Sequence, residues 1–343
     1  MLTREVRLAR HPRGHLTADC FVIAERPIEA LQEGQVLVRN LWTSVDASTL
    51  LRLRESGPEG YLPPIPLGHP LIGLAVGEVH ESRCPRFATG DLVTHIYGFR
   101  DYAVVSPEGE TLGGVGALRR IRPDLGAPED HLGALGHTGV TAYVGLMAVA
   151  ALSSDDVVWV SAAAGATGSM AAQIARLRGH TVIGSAGSDD KVEYLLNDLH
   201  LDAAFNYKRG DLRSLLRDCA PRGIDVYYDN VGGHHLEAAL YQLRNNGRVA
   251  LCGAISGYDD TPTPGPRNLF QAVVKNLTLK GFRAGAHAHL ESEALQAIGA
   301  WLREGRLKLR TTIYEGLDRA PDALIGLAHG ANIGKTLVRA NVT

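Results

Sequence analysis

Through the first 126 residues, apolar positions alternate with polar ones over short runs that end at turn residues. Such runs cover residues 34–40, 73–79, 90–95 and 101–105 and read as half-buried strands. Among them, Pro63-Pro64-Ile65-Pro66 is a rigid loop, because proline fixes φ and removes a backbone donor. From about residue 127 the pattern changes. Short continuous apolar runs at 157–161, 181–185, 203–206, 224–229, 248–253 and 278–282 alternate with helical stretches such as 189–199, 211–219 and 234–244. That alternation predicts an α/β unit with a parallel, doubly wound (Rossmann) sheet. The end of the chain adds a helix at 292–304, a strand at 311–315, a helix near 320–329 and a strand at 335–339. This tail holds too little apolar material for a third domain. It is expected to complete the β-rich part, so that 1–126 and 304–343 form one domain and 127–303 the other.

One junction in the second pattern carries chemistry. Val157-Val158-Trp159-Val160-Ser161 is a strand, Ala162 to Gly168 a small-residue turn, and Ser169 onward a helix that stops at Gly179. Small residues let the backbone approach a pyrophosphate, and the helix beyond offers unpaired N–H groups and the positive end of its dipole. A dinucleotide site is the expectation.

Composition narrows the partners. The net charge of −2 excludes an electrostatic grip on nucleic acid or an anionic membrane. The N-terminal run Met1 to Arg7 mixes charges and has no signal-like apolar core. The most apolar helical stretch, 140–152, is shorter than the roughly 18 residues a spanning helix needs. A cytoplasmic enzyme is therefore expected. Cys20, Cys84, Cys219 and Cys252 are scattered, without a C-x-x-C pair, and read as buried or incidental thiols rather than zinc ligands or disulfides.

The second strand of such a unit ends beside the adenosine ribose, where NAD enzymes usually place an acid. Here Thr181 to Ser185 runs into Ala186-Gly187-Ser188, and Lys191 lies one turn into the next helix. A small-residue loop followed by a lysine favours NADP(H). Asp189 and Asp190 sit close by and could turn inward toward the ribose, although N-capping that helix is the preferred reading.

Six motifs then occur in order: Ala162-x-x-Gly165-x-x-Gly168, Gly184 to Lys191, Phe205-Asn206-Tyr207-Lys208, Asp229-Asn230-Val231-Gly232-Gly233, Cys252 to Tyr258, and Asn332-Ile333-Gly334-Lys335. Together they resemble the NADP-dependent alkenal/one-oxidoreductases, the prostaglandin reductase or leukotriene B4 12-hydroxydehydrogenase group of the medium-chain dehydrogenase/reductases. The resemblance covers most of the chain, including Thr43 to Asp46, Gly60-Tyr61 and Glu315-Gly316-Leu317. It implies a zinc-free, commonly homodimeric enzyme with a GroES-like catalytic domain and a Rossmann domain. Consistent with that, Gly68-His69-Pro70 and Asp46 stand where zinc-dependent relatives carry Gly-His-Glu and a cysteine.

The resemblance also assigns residues. Gly165, Ala166, Thr167 and Gly168 look like the pyrophosphate turn, and Ser188, Lys191 and Tyr207 like the 2′-phosphate side. Asn230 resembles the contact to the nicotinamide-side ribose. Cys252, Gly253, Ala254, Ile255, Ser256 and Tyr258 resemble the loop beneath the nicotinamide. Phe282, Arg283 and Ala284 resemble a backbone contact to the carboxamide, and Asn332 a contact closing over the cofactor.

The implied reaction moves a hydride from NADPH to the β-carbon of an α,β-unsaturated ketone or aldehyde. Charge then develops on the carbonyl oxygen, and the α-carbon takes a proton. A tyrosine hydroxyl suits both tasks, which makes Tyr258 the catalytic candidate; it could instead hold the ribose hydroxyl. Tyr61 resembles the tyrosine on the substrate side of relatives. The chain departs from the family pattern at His137, in place of a usual methionine, at Phe99, in place of a tryptophan, in the segment 281–289 with His287, and at Asp259-Asp260 after Tyr258. At His137 an imidazole could donate a proton, although a pocket-wall role is the preferred reading. The alternatives are a zinc-free quinone reductase or alcohol dehydrogenase, or an NADPH-binding protein without turnover.

Overall fold

In the computed structural model, which describes residues 1–258 and 264–341, the apolar runs settle into two units. One comprises Met1–Gly133 with Thr311–Thr343, the other Ala134–Arg310.

The first unit opens with β1 (Leu2–Leu8) and β2 (Phe21–Pro27), an antiparallel pair with Leu8 opposite Phe21. There follow β3 (Val36–Val45), α1 (Ala47–Arg52), β4 (Ala75–Ser82), β5 (Leu92–His95), β6 (Tyr102–Val105) and the short β7 (Arg119–Arg120).

The second unit begins with α2 (His137–Val144), prolonged by a wide turn over Gly145–Val149. It continues through β8 (Val157–Val160), α3 (Ala166–Leu177), β9 (Thr181–Ala186), α4 (Asp189–Glu193) and β10 (Ala203–Asn206). The remainder is α5 (Leu212–Cys219), β11 (Ile224–Asp229), α6 (Gly233–Gln242), β12 (Leu243–Leu251), α7 (Phe270–Val274), β13 (Thr278–Gly281) and α8 (Glu291–Arg303). The chain then returns to the first unit as β14 (Thr311–Glu315), α9 (Ala320–Ala328) and β15 (Lys335–Arg339).

In the first unit the sheet order is β14-β15-β3-β4-β5-β7, with β6 also on β3. Only β14 and β15 pair in parallel. The returning tail thus lies against the long central strand β3, Thr336 opposite Val45. Leu8, Leu53, Leu71 and Phe99 form its apolar centre, and Ala320, Ala323 and Leu324 of α9 bury their face against it.

In the second unit all six strands are parallel, in the order β10-β9-β8-β11-β12-β13. The chain leaves β8 toward one edge and resumes at β11 toward the other. The strand ends of β8 and β11 therefore frame the switch point where such sheets bind ligands. Trp159 and Tyr227, one on each of these strands, are fully buried and stack at 4.3 Å between centroids.

Local differences from the sequence reading have physical causes. The helix expected over 189–199 forms, but α4 gives way to a wide turn over Tyr194–Asp198 that closes with Leu199 N–H on the Tyr194 carbonyl at 3.1 Å. Ser188, not Asp189 or Asp190, holds the N-cap position of α4, and both acids lie inside its first turn. β12 starts at Leu243, five residues earlier than the apolar run suggested, and carries Asn246 at φ 62°.

Candidate functional site

The turn after β8 is built by close approach. Ala162 adopts φ 47°, a left-handed conformation that costs a residue with a side chain and is concentrated at functional turns. Gly165 N–H returns to the Ala162 carbonyl at 2.9 Å, and Ala163 N–H bonds the Ser185 carbonyl on β9 at 3.0 Å. At Gly168 a Cβ would overlap the Ala162 carbonyl oxygen and lie 2.9 Å from Ala163 Cα. Glycine there lets the first turn of α3 lie directly on the strand end. Gly165 holds the N-cap position of α3 and, having no side chain, gives the first-turn amides no side-chain cap. A Cβ at Gly165 would meet only the Ala162 carbonyl oxygen, at 3.2 Å. The donors and the open face fit a pyrophosphate.

Asp229, at the end of β11, organises the neighbouring turn, and the sequence reading did not single it out. Its Oδ1 accepts from the amides of Val231 (3.0 Å) and Gly232 (2.8 Å) and from the Tyr227 hydroxyl (2.7 Å). Burial pushes this carboxyl upward from the usual range while those donors pull it down. Gly232 and Gly233 follow at φ 73° and 50°, which explains the glycine pair before α6. Asn230 is pinned to the end of the neighbouring strand: its backbone amide donates to Ser161 Oγ (3.0 Å) and its Nδ2 to the Ser161 carbonyl (2.8 Å). That leaves its Oδ1 as the side-chain atom suited to accept from a ribose hydroxyl.

The loop after β12 is laid on this turn. The amides of Cys252 and Gly253 both donate to the Asp229 carbonyl, and Ile255 and Ser256 to those of Asn230 and Val231. The Tyr258 hydroxyl folds back over the loop, 3.4 Å from where a Gly253 Cβ would stand. Behind it, the Tyr228 hydroxyl donates to the Thr141 carbonyl on α2 (3.1 Å) and lies 3.4 Å from Cys252 Sγ. Burial raises the Cys252 thiol to about 11, so it stays protonated. Phe282 meets Tyr228 edge-on at 6.4 Å. His137 is the exposed first residue of α2, and His287 lies 6.0 Å from His289, ring to ring. Asp259 and Asp260 lie outside the described residues.

At the far side of β9, Tyr207 brings its hydroxyl against Gly187, 3.0 Å from a Cβ position there. Lys191 is half-buried, and desolvation together with the nearby Lys208 ammonium lowers its affinity for a proton. Lys208 Nζ lies 6.0 Å from the Tyr207 ring centroid, and its charge and that of Lys191 act on each other. Lys208 was quoted only as part of a motif; its approach to Lys191 depends on β10 lying next to β9. The Ser188 hydroxyl bonds Asp190 and holds that carboxyl below its usual range.

The remaining predicted residues belong to the β-rich unit. Tyr61 follows Gly60 in a turn and is partly exposed. Below its loop the guanidinium of Arg52, 7% exposed, donates to the Pro63 carbonyl at 3.0 Å and interacts with the Tyr61 hydroxyl. Asn332 is buried and spends an amide hydrogen on the Gly334 carbonyl, 2.9 Å away. Asp46, at the position of a zinc-binding cysteine in relatives, accepts from Ser44 Oγ at 2.5 Å and pairs with the buried Lys335 ammonium at 3.2 Å. Among the described residues no three His, Cys, Asp or Glu side chains gather as a metal ion would need.

A Rossmann sheet with a pyrophosphate-type turn, together with a mixed β-rich unit of GroES-like type, defines a two-domain nucleotide-dependent oxidoreductase architecture. Family profiles described as "N-terminal domain of oxidoreductase" and "Zinc-binding dehydrogenase" match residues 4–112 and 166–300. A 2-alkenal reductase (NADP(+)-dependent) from Nicotiana tabacum is 38% identical over 88% of this chain and 86% of its own. Prostaglandin reductase 1 of Rattus norvegicus is 34% identical over 97% of this chain and 98% of its own. The crystal structure of CurA in complex with NADPH from Vibrio vulnificus superposes with a TM-score of 0.90 at 32% identity, covering 99% of this chain and 100% of that one. The chain belongs to the medium-chain dehydrogenase/reductases, among the zinc-free NADP(H)-dependent oxidoreductases related to prostaglandin, alkenal and curcumin reductases.

Proposed function

We propose that this chain is an NADPH-dependent reductase of the carbon–carbon double bond in α,β-unsaturated ketones and aldehydes. The observation that carries the reading is full-length similarity to NADP-dependent enone reductases, combined with a second-strand end where Lys191 and Lys208 are within electrostatic reach of each other. Bound NADPH supplies the hydride that reaches the β-carbon of the substrate.

The chain's own residues bind, orient and donate. The amides of Ala166, Thr167 and Gly168 receive the pyrophosphate, and Gly165 lets the backbone approach it. Lys191, Lys208, Tyr207 and Ser188 take the 2′-phosphate; Ser188 must release Asp190 to do so. Asn230 Oδ1 accepts from a ribose hydroxyl, while the 252–258 loop and the 282–284 backbone shape the nicotinamide side. The Tyr258 hydroxyl donates to the substrate carbonyl oxygen as negative charge develops there. His137, His287 and Tyr61 are the substrate-pocket candidates, and Asn332 is a candidate cofactor contact.

A cytoplasmic location and a homodimer complete the proposal. The described residues contain no helix long and apolar enough to cross a membrane. In support of a dimer, β13 is a sheet edge, and beside it Phe270 and Val273 of α7 are 72% and 71% exposed. Light scattering on the purified protein should give twice the chain mass, and Phe270→Asp with Val273→Asp should give one; a wild-type monomer removes this part. The functional reading is tested by NADPH consumption with an enone, a quinone and a saturated ketone, each compared with NADH. Turnover of the enone with NADPH is expected; turnover confined to the quinone or the saturated ketone overturns it, as does NADPH binding without any turnover.

A further inference from the structure

The two acids after β9 stand in the stretch where NAD-selecting folds place a carboxylate for the ribose hydroxyls. In this chain Asp190 is held by the Ser188 hydroxyl, whereas Asp189 is tied down from the next strand. Asp189 Oδ1 accepts from Asn206 Nδ2 at 2.7 Å and from Arg209 Nε at 3.2 Å, and the Arg209 terminal nitrogen closes on Oδ2. The guanidinium and the Asn206 amide hold the Asp189 carboxyl below the usual range. Asn206 and Arg209 bracket Tyr207 and Lys208, so one four-residue run both presents the groups suited to a phosphate and restrains the acid that would repel it.

We propose that Arg209 is a specificity-determining residue. With Asn206 it clamps and neutralises Asp189, so that the ribose side shows Lys191 and Lys208 against one carboxylate, Asp190, rather than two, favouring NADPH over NADH. The inference rests on reading this end of β9 as the 2′-phosphate side. A two-point guanidinium–carboxylate pair fixes direction as well as charge, which a lysine at 209 would not. An exposed pair of this kind adds little to fold stability, so its removal leaves a folded protein whose change is read in binding. A carboxylate released within a Debye length of a dianionic phosphate should weaken NADPH roughly threefold at physiological salt and about tenfold at low salt.

The test is a double-mutant cycle in which Kd for NADPH and for NADH is measured by fluorescence titration at two salt concentrations. Arg209→Ala should raise the NADPH Kd by those factors and leave or lower the NADH Kd. Asp189→Asn alone should preserve NADPH binding, and Arg209→Ala added to it should then cost nothing. An equal loss from Arg209→Ala in both backgrounds overturns the clamp, since the guanidinium would then be acting on the phosphate directly; so does an unchanged NADPH-to-NADH ratio. A wild-type protein that binds neither dinucleotide refutes the cofactor reading itself, a failure distinguishable from that of the clamp.

Discussion

Gly168→Ala isolates what the turn after β8 does. The added methyl would overlap the Ala162 carbonyl oxygen and sit 2.9 Å from both the Ala162 carbonyl carbon and Ala163 Cα. All three are backbone atoms, so no side chain can swing aside. Ordinary contact, at 3.4 Å or more, therefore requires the first turn of α3 to lift by about 1 Å. Overpacking of this kind costs about 1–3 kcal/mol. Alanine returns about 1 kcal/mol of helix propensity, leaving a net loss of roughly 0–2 kcal/mol. A domain of this size should lose only a few degrees of Tm. Binding should suffer more, because each charge-assisted hydrogen bond to the pyrophosphate that is lost or stretched is worth about 1.5–3 kcal/mol. The NADPH Kd should rise more than tenfold. Thermal melting and NADPH fluorescence titration read the two effects separately. Gly265→Ala is the control, since a Cβ there meets nothing within 4 Å among the described residues and its φ lies outside the left-handed region. A Gly168→Ala protein with Kd within twofold of wild type would refute the claim that helix-on-strand contact positions the phosphate donors.

Tyr258→Phe should lower kcat for an enone by about a hundredfold with NADPH Kd changed less than threefold; unchanged kcat removes this hydroxyl from the chemistry. Acid should destabilise the fold through histidines buried in neutral form. Burial pushes His95 down to about 3 and His235 to about 4, so the unfolded chain binds more protons than the folded one below about pH 6.5. Their contribution is complete above pH 6.5 and is lost as pH falls toward those values, at about 2 kcal/mol per histidine between pH 7 and 5. Urea unfolding of His95→Asn should show a shallower loss of stability over that interval than wild type, and equal slopes would contradict the assignment.

Much of this was legible because period and punctuation coincide. Strands 203–206, 224–229, 311–315 and 335–339 form at the boundaries their apolar runs suggest, each framed by helix or turn residues. β1 escaped notice because its inward positions include Thr3 and Glu5, which are buried but polar. Glu5 is tolerated there by an ion pair with Arg7 at 2.6 Å, a partner that pattern reading cannot supply. β12 was read late because Arg244-Asn245-Asn246-Gly247 has the composition of a turn. Within the candidate site, Asn230 was read as a cofactor contact, whereas Asp229 was quoted only as the first residue of its motif and its role was not visible. Its importance lies in three donors converging on one oxygen, one of them a tyrosine on the same strand. Likewise, the meeting of Asp189 with Arg209 is created by two strands lying side by side.

The central claim is addition of hydride to the β-carbon of an enone. Turnover of a simple α,β-unsaturated ketone with NADPH deuterated at the transferring C4 position, followed by NMR of the product, tests it directly. The account predicts the saturated ketone with a single deuterium on the β-carbon and solvent hydrogen on the α-carbon. An allylic alcohol with deuterium on the former carbonyl carbon would contradict it.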